Sequence, residues 1–279
     1  MSTYRELLQT AREILKQHEI ADADVDAWYL LVHVFGIKRT DFLLHGDHVV
    51  AESEGKRFLS LIKERAAHIP LQHITGTQEF MGLEFEVNED VLIPRQDTET
   101  LVEEVLKECN GKSVLDMCTG SGCIIISLAK LGRLQRAVGV DISEKALLIA
   151  SKNAERHKVE IEYIQSDLFG KLDGSYDIIV SNPPYTPTGE IGALMPEVKD
   201  HDPLLALDGT EDGLEFYRRI ISEAKNFLTQ NGWIFFEIGH EQGADVKQLL
   251  DKEGFMEIRI KKDLSGHDRV VTARRCPDT

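Results

Sequence analysis

The apolar residues at the start of the chain recur with the spacing of helices. Thr3 and Glu6 have the spacing of a capping box. The apolar residues after them fall on one helical face: Leu7, Leu8, Ala11, Ile14 and Leu15. A second predicted helix ends at Gly36, and Pro70 closes the helical series. Residues 1–72 are therefore predicted to form a small helical domain.

The spacing of apolar residues then changes from helical to alternating. The stretch from Gln78 to Val87 predicts two short strands that turn at Met81 and Gly82. We expect residues 73–90 to form a β-hairpin that links the helical domain to the rest of the chain.

From residue 91 onward, apolar strands alternate with amphipathic helices. Strands are predicted at 113–116, 136–140, 161–164, 177–180 and 233–238. Alternation of this kind is typical of a parallel sheet covered by helices on both faces. Two closing strands, near 256–261 and 269–272, have no clear helix between them and predict an antiparallel edge hairpin. Residues 91–279 are thus expected to form one α/β domain.

Composition narrows the possible partners. The formal net charge is −16, and no Lys/Arg block stands out, which argues against a duplex nucleic-acid partner. The four cysteines are scattered and the ten histidines form no metal-binding pattern, so no metal is expected. No apolar run approaches the roughly 20 residues that cross a bilayer. We expect a soluble, cytoplasmic protein without a membrane partner.

A glycine-containing turn follows the strand predicted at 113–116. It comprises Asp116, Met117, Cys118, Thr119, Gly120, Ser121 and Gly122. Glycines at such a turn let a ligand approach the backbone. The turn lacks the spacing of a pyrophosphate-binding loop, and the Asp116 carboxylate would attract the sulfonium and amino groups of S-adenosylmethionine. The turn favours this cofactor over NAD; a tight turn without a ligand is the alternative.

Acidic residues also follow the next two strands. Asp141 comes about 20 residues after the glycines, where a carboxylate can accept hydrogen bonds from both ribose hydroxyls. It can also cap the following helix, although Ser143 is the better cap. Asp167 is placed to bind the adenine amino group, and Leu168 or Phe169 to lie against the ring. An ordinary surface loop is equally consistent there.

The loop Asn182-Pro183-Pro184-Tyr185 follows the apolar strand at 177–180 and is the most specific feature of the sequence. The Asn182 side-chain oxygen and the Pro183 carbonyl can each accept one N–H of a planar amide or amine. The prolines restrict the backbone, and Tyr185 can lie on the planar face of the substrate. This pattern predicts catalysis at Asn182, Pro183 and Tyr185, with a proline-rich turn as the alternative.

The chain resembles the HemK-type (PrmC) peptide chain release factor N5-glutamine methyltransferases over nearly its whole length. The matching segments are 70–76, 79–80, 91–99, 182–185, 202–207, 212–213, 237–239 and 263–269. The tetrapeptide at 182–185 is shared with adenine-N6 DNA methyltransferases. The segment Leu92-Ile93-Pro94-Arg95 and the helical N-terminus are more particular to the family.

The resemblance implies a class I methyltransferase with a Rossmann-like sheet and an N-terminal helical domain that helps dock the substrate. The substrate would be the glutamine of the Gly-Gly-Gln motif in release factors, with S-adenosylhomocysteine as the second product. Asn182 to Tyr185 would hold this glutamine, and Arg95 would lie near the site entrance. The cofactor would be lined by Cys118 to Gly122, Asp141, Leu168 or Phe169, and Asn182. We expect a monomer.

Two positions depart from the family pattern. The family usually has glycine where Cys118 stands, and a cysteine adds a side chain and loses the freedom for a positive φ. We expect either weaker cofactor binding or a shifted backbone there. Gln96 and Asp97 replace a usual proline and glutamate, and we expect little effect.

Three other functions stay open. An adenine-N6 nucleic-acid methyltransferase would share the Asn182 loop but should carry a basic face. A ribosomal protein is an alternative glutamine substrate. A binding module with a decayed methyltransferase fold is supported only by Cys118.

Overall fold

A computed structural model describes residues 2–277 of the chain. These residues form two compact units. One runs up to Gly76 and includes Met195–His201; the other comprises Thr77–Leu194 and the chain from Asp202 onward. No helix in the described part of the chain has the length and apolar character that a membrane crossing requires.

The first unit is helical. Its helices are α1 (Tyr4–Gln17), α2 (Ala23–Phe35), α3 (Arg39–His45), α4 (Glu52–Ala66), α5 (Leu71–Thr75) and, from the later segment, α9 (Pro196–Lys199). The predicted capping box is present, since the Glu6 amide donates to Thr3 Oγ1 at 3.2 Å and the Thr3 amide donates to Glu6 Oε2 at 2.9 Å. Glu197 joins this unit through a 2.9 Å ion pair with Arg65.

The second unit is built around strands. The strands are β1 (Thr77–Phe80), β2 (Leu83–Glu86), β3 (Ser113–Met117), β4 (Arg136–Asp141), β5 (Glu162–Gln165), β6 (Tyr176–Ser181), β7 (Leu228–Glu237), β8 (Phe255–Lys262) and β9 (Asp268–Arg275). The helices are α6 (Asp97–Leu106), α7 (Cys123–Leu131), α8 (Glu144–His157), α10 (Leu204–Leu207), α11 (Glu215–Phe227) and α12 (Gly243–Lys252). The strands β1 and β2 form the hairpin predicted around Met81.

The remaining strands form a seven-stranded sheet in the order β5-β4-β3-β6-β7-β9-β8. Strands β5, β4, β3, β6 and β7 are parallel, and β9 and β8 close the sheet as the expected antiparallel hairpin. Side chains of β6 alternate between the two faces. Ile179 packs in the layer of Tyr217 from α11, while Ile178 and Val180 pack in the layer of Ile125 from α7. Helices therefore cover both faces, as predicted.

Three stretches differ from the sequence-based expectation. The helical series does not end at Pro70, since Pro70 is the N-cap of α5, which runs to Thr75 into the segment predicted as a hairpin. The loop predicted after β6 contains a 3₁₀ helix at Thr188–Ala193 and two helices of a single turn, α9 and α10. The strand predicted at 233–238 begins at Leu228, which pairs with Tyr176 of β6. The register then shifts before Trp233 pairs with Ile178, and Asn231 in this shifted stretch has a positive φ of 63°. Helices of a single turn and short irregularities in a strand leave no periodic pattern of apolar residues in the sequence.

Candidate active site

The carboxyl ends of β3, β4 and β6 enclose a cavity of about 300 Å³. This edge of an open α/β sheet is where ligands bind. The predicted cofactor residues in its lining are Cys118, Thr119, Gly120, Ser121, Asp141, Asp167, Leu168 and Asn182. Of the predicted substrate residues, Arg95, Asn182 and Pro184 line the same cavity. The structure thus brings most of the predicted site together at one place.

The turn between β3 and α7 has a backbone with several positive φ angles. Gly120 has a φ of 54° and Gly122, the N-cap of α7, a φ of 78°. A Cβ on Gly122 would lie 2.9 Å from Ile126 Cδ1 and 3.0 Å from the Tyr163 hydroxyl. Gly122 therefore sits where only glycine fits, and it shapes the turn without lining the cavity.

Cys118 keeps the backbone that a glycine would adopt. Its φ is 62°, so the backbone of Cys118 lies in the left-handed region although the residue carries a side chain, and no backbone shift avoids this conformation. Burial, and then the charges of Asp141 and Asp116, raise the pKa of the Cys118 thiol far above its usual value. Cys118 is therefore a neutral thiol in the cavity wall, in a conformation that costs backbone strain.

Asp116 lies in the buried strand β3 and is fully buried, and the Thr119 hydroxyl donates a 2.6 Å hydrogen bond to its Oδ2. Burial raises the pKa of Asp116 to about 7, against the lowering effect of that hydrogen bond. The sequence predicted a direct attraction between Asp116 and the cofactor, but Asp116 does not line the cavity. Asp116 holds Thr119 in place, and Thr119 lines the cavity.

Asp141 is the last residue of β4 and reaches the turn directly. Its Oδ2 accepts a 2.9 Å hydrogen bond from the Gly120 amide, and its Oδ1 accepts one of 2.9 Å from the Ser143 amide. Burial raises the pKa of Asp141, against the effect of these amides. Ser143 caps α8 through its own hydroxyl, as predicted. Each Asp141 oxygen keeps a further lone pair with which it can accept a hydroxyl from the cavity.

The segment after β5 divides between cavity and core. Asp167 lines the cavity and forms a 2.8 Å ion pair with Arg219, which lines it too. Leu168 lies in the lining with a φ of 48°. Phe169 instead stacks on Phe227 with ring centroids 4.6 Å apart, in the core. Of the two alternatives predicted for the ring contact, Leu168 is the one that the cavity exposes.

The loop after β6 presents Asn182 and Pro184 to the cavity and turns Tyr185 inward. Ser181 fixes the start of the loop by donating a 2.7 Å hydrogen bond to the Met117 carbonyl. Tyr185 packs against the core. Neither Tyr185 nor Pro183 lines the cavity. Burial raises the pKa of the Tyr185 hydroxyl well above its usual value, so the hydroxyl is neutral.

Glycines and one glutamine hold this loop from behind. A Cβ on Gly213 would clash with the Tyr185 carbonyl oxygen, and one on Gly209 would lie 2.8 Å from the Tyr185 backbone. Gln242 Nε2 donates to the Tyr185 carbonyl at 3.0 Å, while its Oε1 accepts the Gly239 amide at 2.9 Å. No role for Gln242 is predictable from the sequence, because a contact across 57 positions leaves no local pattern.

Thr98 and Glu237 are two further polar residues near Asn182 that the sequence analysis did not select. Asn182 Nδ2 lies 3.5 Å from Thr98 Oγ1. Asn182 and Glu237 directly follow Ser181 and Phe236, which pair across β6 and β7, so the two residues are neighbours at the ends of adjacent strands. Glu237 was noted only as part of the segment 237–239. A signal was available, since Glu237 ends the buried strand β7 just as Asp141 ends β4.

Arg95 lines the cavity and binds Asp202 at 2.5 Å, and the Asp202 side chain is 0% exposed. The residues after Asp202 form a wall of the cavity with Pro203, Leu205 and Ala206. Arg95 therefore anchors this wall segment at the cavity's edge.

Two family models and several known proteins match this chain. The family model for the PrmC N-terminal domain matches residues 6–76, and the model for the methyltransferase small domain matches residues 95–195. The release factor glutamine methyltransferase of Geobacter sulfurreducens is 40% identical over 98% of this chain and 96% of its own. That of Agrobacterium fabrum is 41% identical, with 96% of each chain covered.

A solved structure supports the fold. The crystal structure of a methyltransferase from Pyrococcus furiosus matches with a TM-score of 0.57 at 17% identity, and covers 77% of this chain and 99% of that chain. The class I methyltransferase fold predicted from the sequence is confirmed.

Proposed function

The chain belongs to the release factor glutamine methyltransferase family, and from this membership and the cavity we propose that it methylates a glutamine side chain of a peptide chain release factor. The methyl donor is S-adenosylmethionine and the second product is S-adenosylhomocysteine. The acceptor is the side-chain amide nitrogen, N5, of the glutamine in the Gly-Gly-Gln motif.

The observation that carries this proposal is the position of Asn182. It follows the last residue of β6 and lines the same cavity as Asp141 and the glycine turn. A planar amide nitrogen is a weak nucleophile because its lone pair is delocalised. An enzyme for such a group needs acceptors for its two N–H bonds next to the methyl donor.

We assign one acceptor to the Asn182 side-chain oxygen, which lines the cavity. The other is the carbonyl of Pro183, which stands outside the lining between the two lining residues Asn182 and Pro184 and would have to be reached by the substrate amide. As the nitrogen attacks, it gains positive charge and its protons become better donors, so both hydrogen bonds strengthen in the transition state. The prolines fix the backbone on which these oxygens stand. Tyr185 supports the loop from the core side, where it packs.

The residues of the cavity fit the cofactor. Asp141 retains acceptor capacity for ribose hydroxyls, Asp167 for an adenine amino group, and Leu168 offers an apolar contact. When bound, S-adenosylmethionine supplies an electrophilic methyl group and a neutral thioether leaving group. The protein's own task is then alignment and the exclusion of water.

The helical unit has a separate role in this proposal. We assign to residues 1–72 the docking of the intact release factor, in keeping with the family match over 6–76. Because the proposed substrate is a translation factor, we propose that the enzyme acts in the cytoplasm. A short Gly-Gly-Gln peptide should then be methylated with a much higher KM than the intact factor, and equal KM values would refute the docking role.

Radiolabelled S-adenosylmethionine tests the proposal. We expect label on a purified release factor and none on the same factor with its Gly-Gly-Gln glutamine replaced by alanine. Equal labelling of both factors would contradict the proposed acceptor. An adenine-containing oligonucleotide serves as a third arm, and label there would support the adenine alternative instead.

A further inference from the structure

Glu237 is a buried carboxyl group at the carboxyl end of β7, outside the cavity lining but next to the catalytic loop. It is 1% exposed. Its Oε2 has no hydrogen-bond partner among the described residues. An acid is costly to bury in this state, so its presence calls for a role.

Its side-chain neighbours include the residue that we assign to substrate binding. Asn182 and Glu237 directly follow Ser181 and Phe236, which pair across β6 and β7. Thr98, which is 2% exposed, and Asn182 both lower the pKa of the Glu237 carboxyl group. Asn182 Nδ2 also lies 3.5 Å from Thr98 Oγ1. Asn182, Thr98 and Glu237 therefore form a chain of neighbouring polar side chains, with Nδ2 of the Asn182 amide directed to the Thr98 hydroxyl.

This chain distinguishes the two ends of the Asn182 amide. An ionised carboxylate only accepts hydrogen bonds, so Asn182 can meet it only through Nδ2. The Oδ1 atom is then free of this network, on a side chain that lines the cavity. The –NH₂ group of a substrate amide needs the Asn182 oxygen as an acceptor. If the Asn182 amide were flipped, its own –NH₂ group would face the substrate –NH₂ group, and the two donors would repel each other.

We propose that Glu237 is a positioning residue that holds the Asn182 amide with its oxygen available to the substrate nitrogen. This inference rests on the proposed function, because it assigns the orientation of the same Asn182 that binds the glutamine. Glu237 itself does not touch the substrate.

The protonation state of Glu237 adds a signature that geometry alone lacks. Burial raises the pKa of Glu237 to about 7, against the lowering effects of Thr98, Arg269 and Asn182. Other titratable groups that interact with it electrostatically are Asp97, Cys123, Tyr185 and Tyr217. A protonated Glu237 can donate to Asn182 Oδ1 and so favours the flipped amide. Methylation should therefore rise with pH through about 7.

Substitution of Glu237 tests the proposal. Glu237→Ala removes the acceptor, and we expect kcat to fall about 10- to 100-fold while KM for the release factor stays within about threefold. Glu237→Gln retains an acceptor oxygen of the same reach but does not titrate. It should recover part of the lost kcat and abolish the rise with pH near 7.

Asp177→Asn is the matched control. Asp177 is a half-buried carboxylate near the start of β6, where it accepts hydrogen bonds from Ser113 and Thr229. Its substitution should lower the unfolding temperature but leave kcat and the pH profile intact. If Glu237→Gln behaves like this control, the inference is overturned.

A second readout is independent of catalysis. With asparagine labelled by ¹⁵N and the Asn182 side-chain signal assigned through Asn182→Asp, the –NH₂ resonance should titrate with a midpoint near pH 7 in the wild type and not in Glu237→Gln. Wild-type methylation without this titration would contradict the inference. The titration without any release-factor methylation would contradict the proposed function and leave the positioning role supported.

Discussion

The side-chain amide of Gln242 donates a 3.0 Å hydrogen bond to the carbonyl of Tyr185. The same Nε2 lies 3.2 Å from the Gly213 carbonyl, and Oε1 accepts the Gly239 amide. One side chain thus ties the loop after β6 to the turn after β7. The loop after β6 is therefore held by a residue that lies outside the cavity lining.

Gln242→Glu should damage this tie more than Gln242→Ala does. A carboxylate would place an acceptor oxygen, in the position of Nε2, against the carbonyls of Tyr185 and Gly213, and acceptors facing each other repel. We expect kcat to fall about tenfold for Gln242→Ala and further for Gln242→Glu. Gln248→Glu, an exposed position on α12, is the control for added charge. Equal activity of Gln242→Glu and Gln248→Glu would contradict this role.

Asn182→Ala removes the side-chain oxygen assigned to the substrate amide. Loss of one such oriented hydrogen bond costs about 100-fold or more in kcat. Calorimetric binding of S-adenosylmethionine should change little, because Asn182 is one residue among many in the lining. Steady-state methylation of a release factor gives kcat, and a near wild-type value would remove Asn182 from the mechanism.

Asp141→Ala should weaken the binding of the cofactor S-adenosylmethionine. Loss of the ribose hydrogen bonds and of the support for Gly120 costs about 2 kcal/mol, or roughly thirtyfold in Kd. Asp141→Asn keeps one carbonyl oxygen and should lose less. Titration calorimetry with S-adenosylmethionine measures both variants, and an unchanged Kd for Asp141→Ala would reduce Asp141 to a structural residue.

Cys118→Gly should stabilise the protein. Cys118 has a φ of 62°, and glycine adopts that conformation without the clash that costs other residues about 1 kcal/mol. The free energy of unfolding in urea should therefore rise by about 1 kcal/mol. Cys109→Ala, at a buried position without a positive φ, should lower it through the cavity that it leaves. A loss of stability in Cys118→Gly would show that packing of the thiol outweighs the strain.

The sequence predicted the fold because its strands and helices alternate with clear periods, and strand ends such as Asp141 and Asn182 are marked by polar residues. It also identified Cys118 as the position that requires a positive φ. The sequence did not predict the roles that we assign to Gln242 and Glu237, because these roles arise from contacts between segments that are distant along the chain. Phe169 lies in the core since a stacking partner, Phe227, is available there.

Position-resolved mass spectrometry tests the central claim most directly. A release factor is incubated with the protein and S-adenosylmethionine, digested and fragmented. We predict the mass of one added methyl group on the side chain of the Gly-Gly-Gln glutamine, and none after incubation with Asn182→Ala. A methyl group on another residue, or equal methylation by Asn182→Ala, would contradict the account.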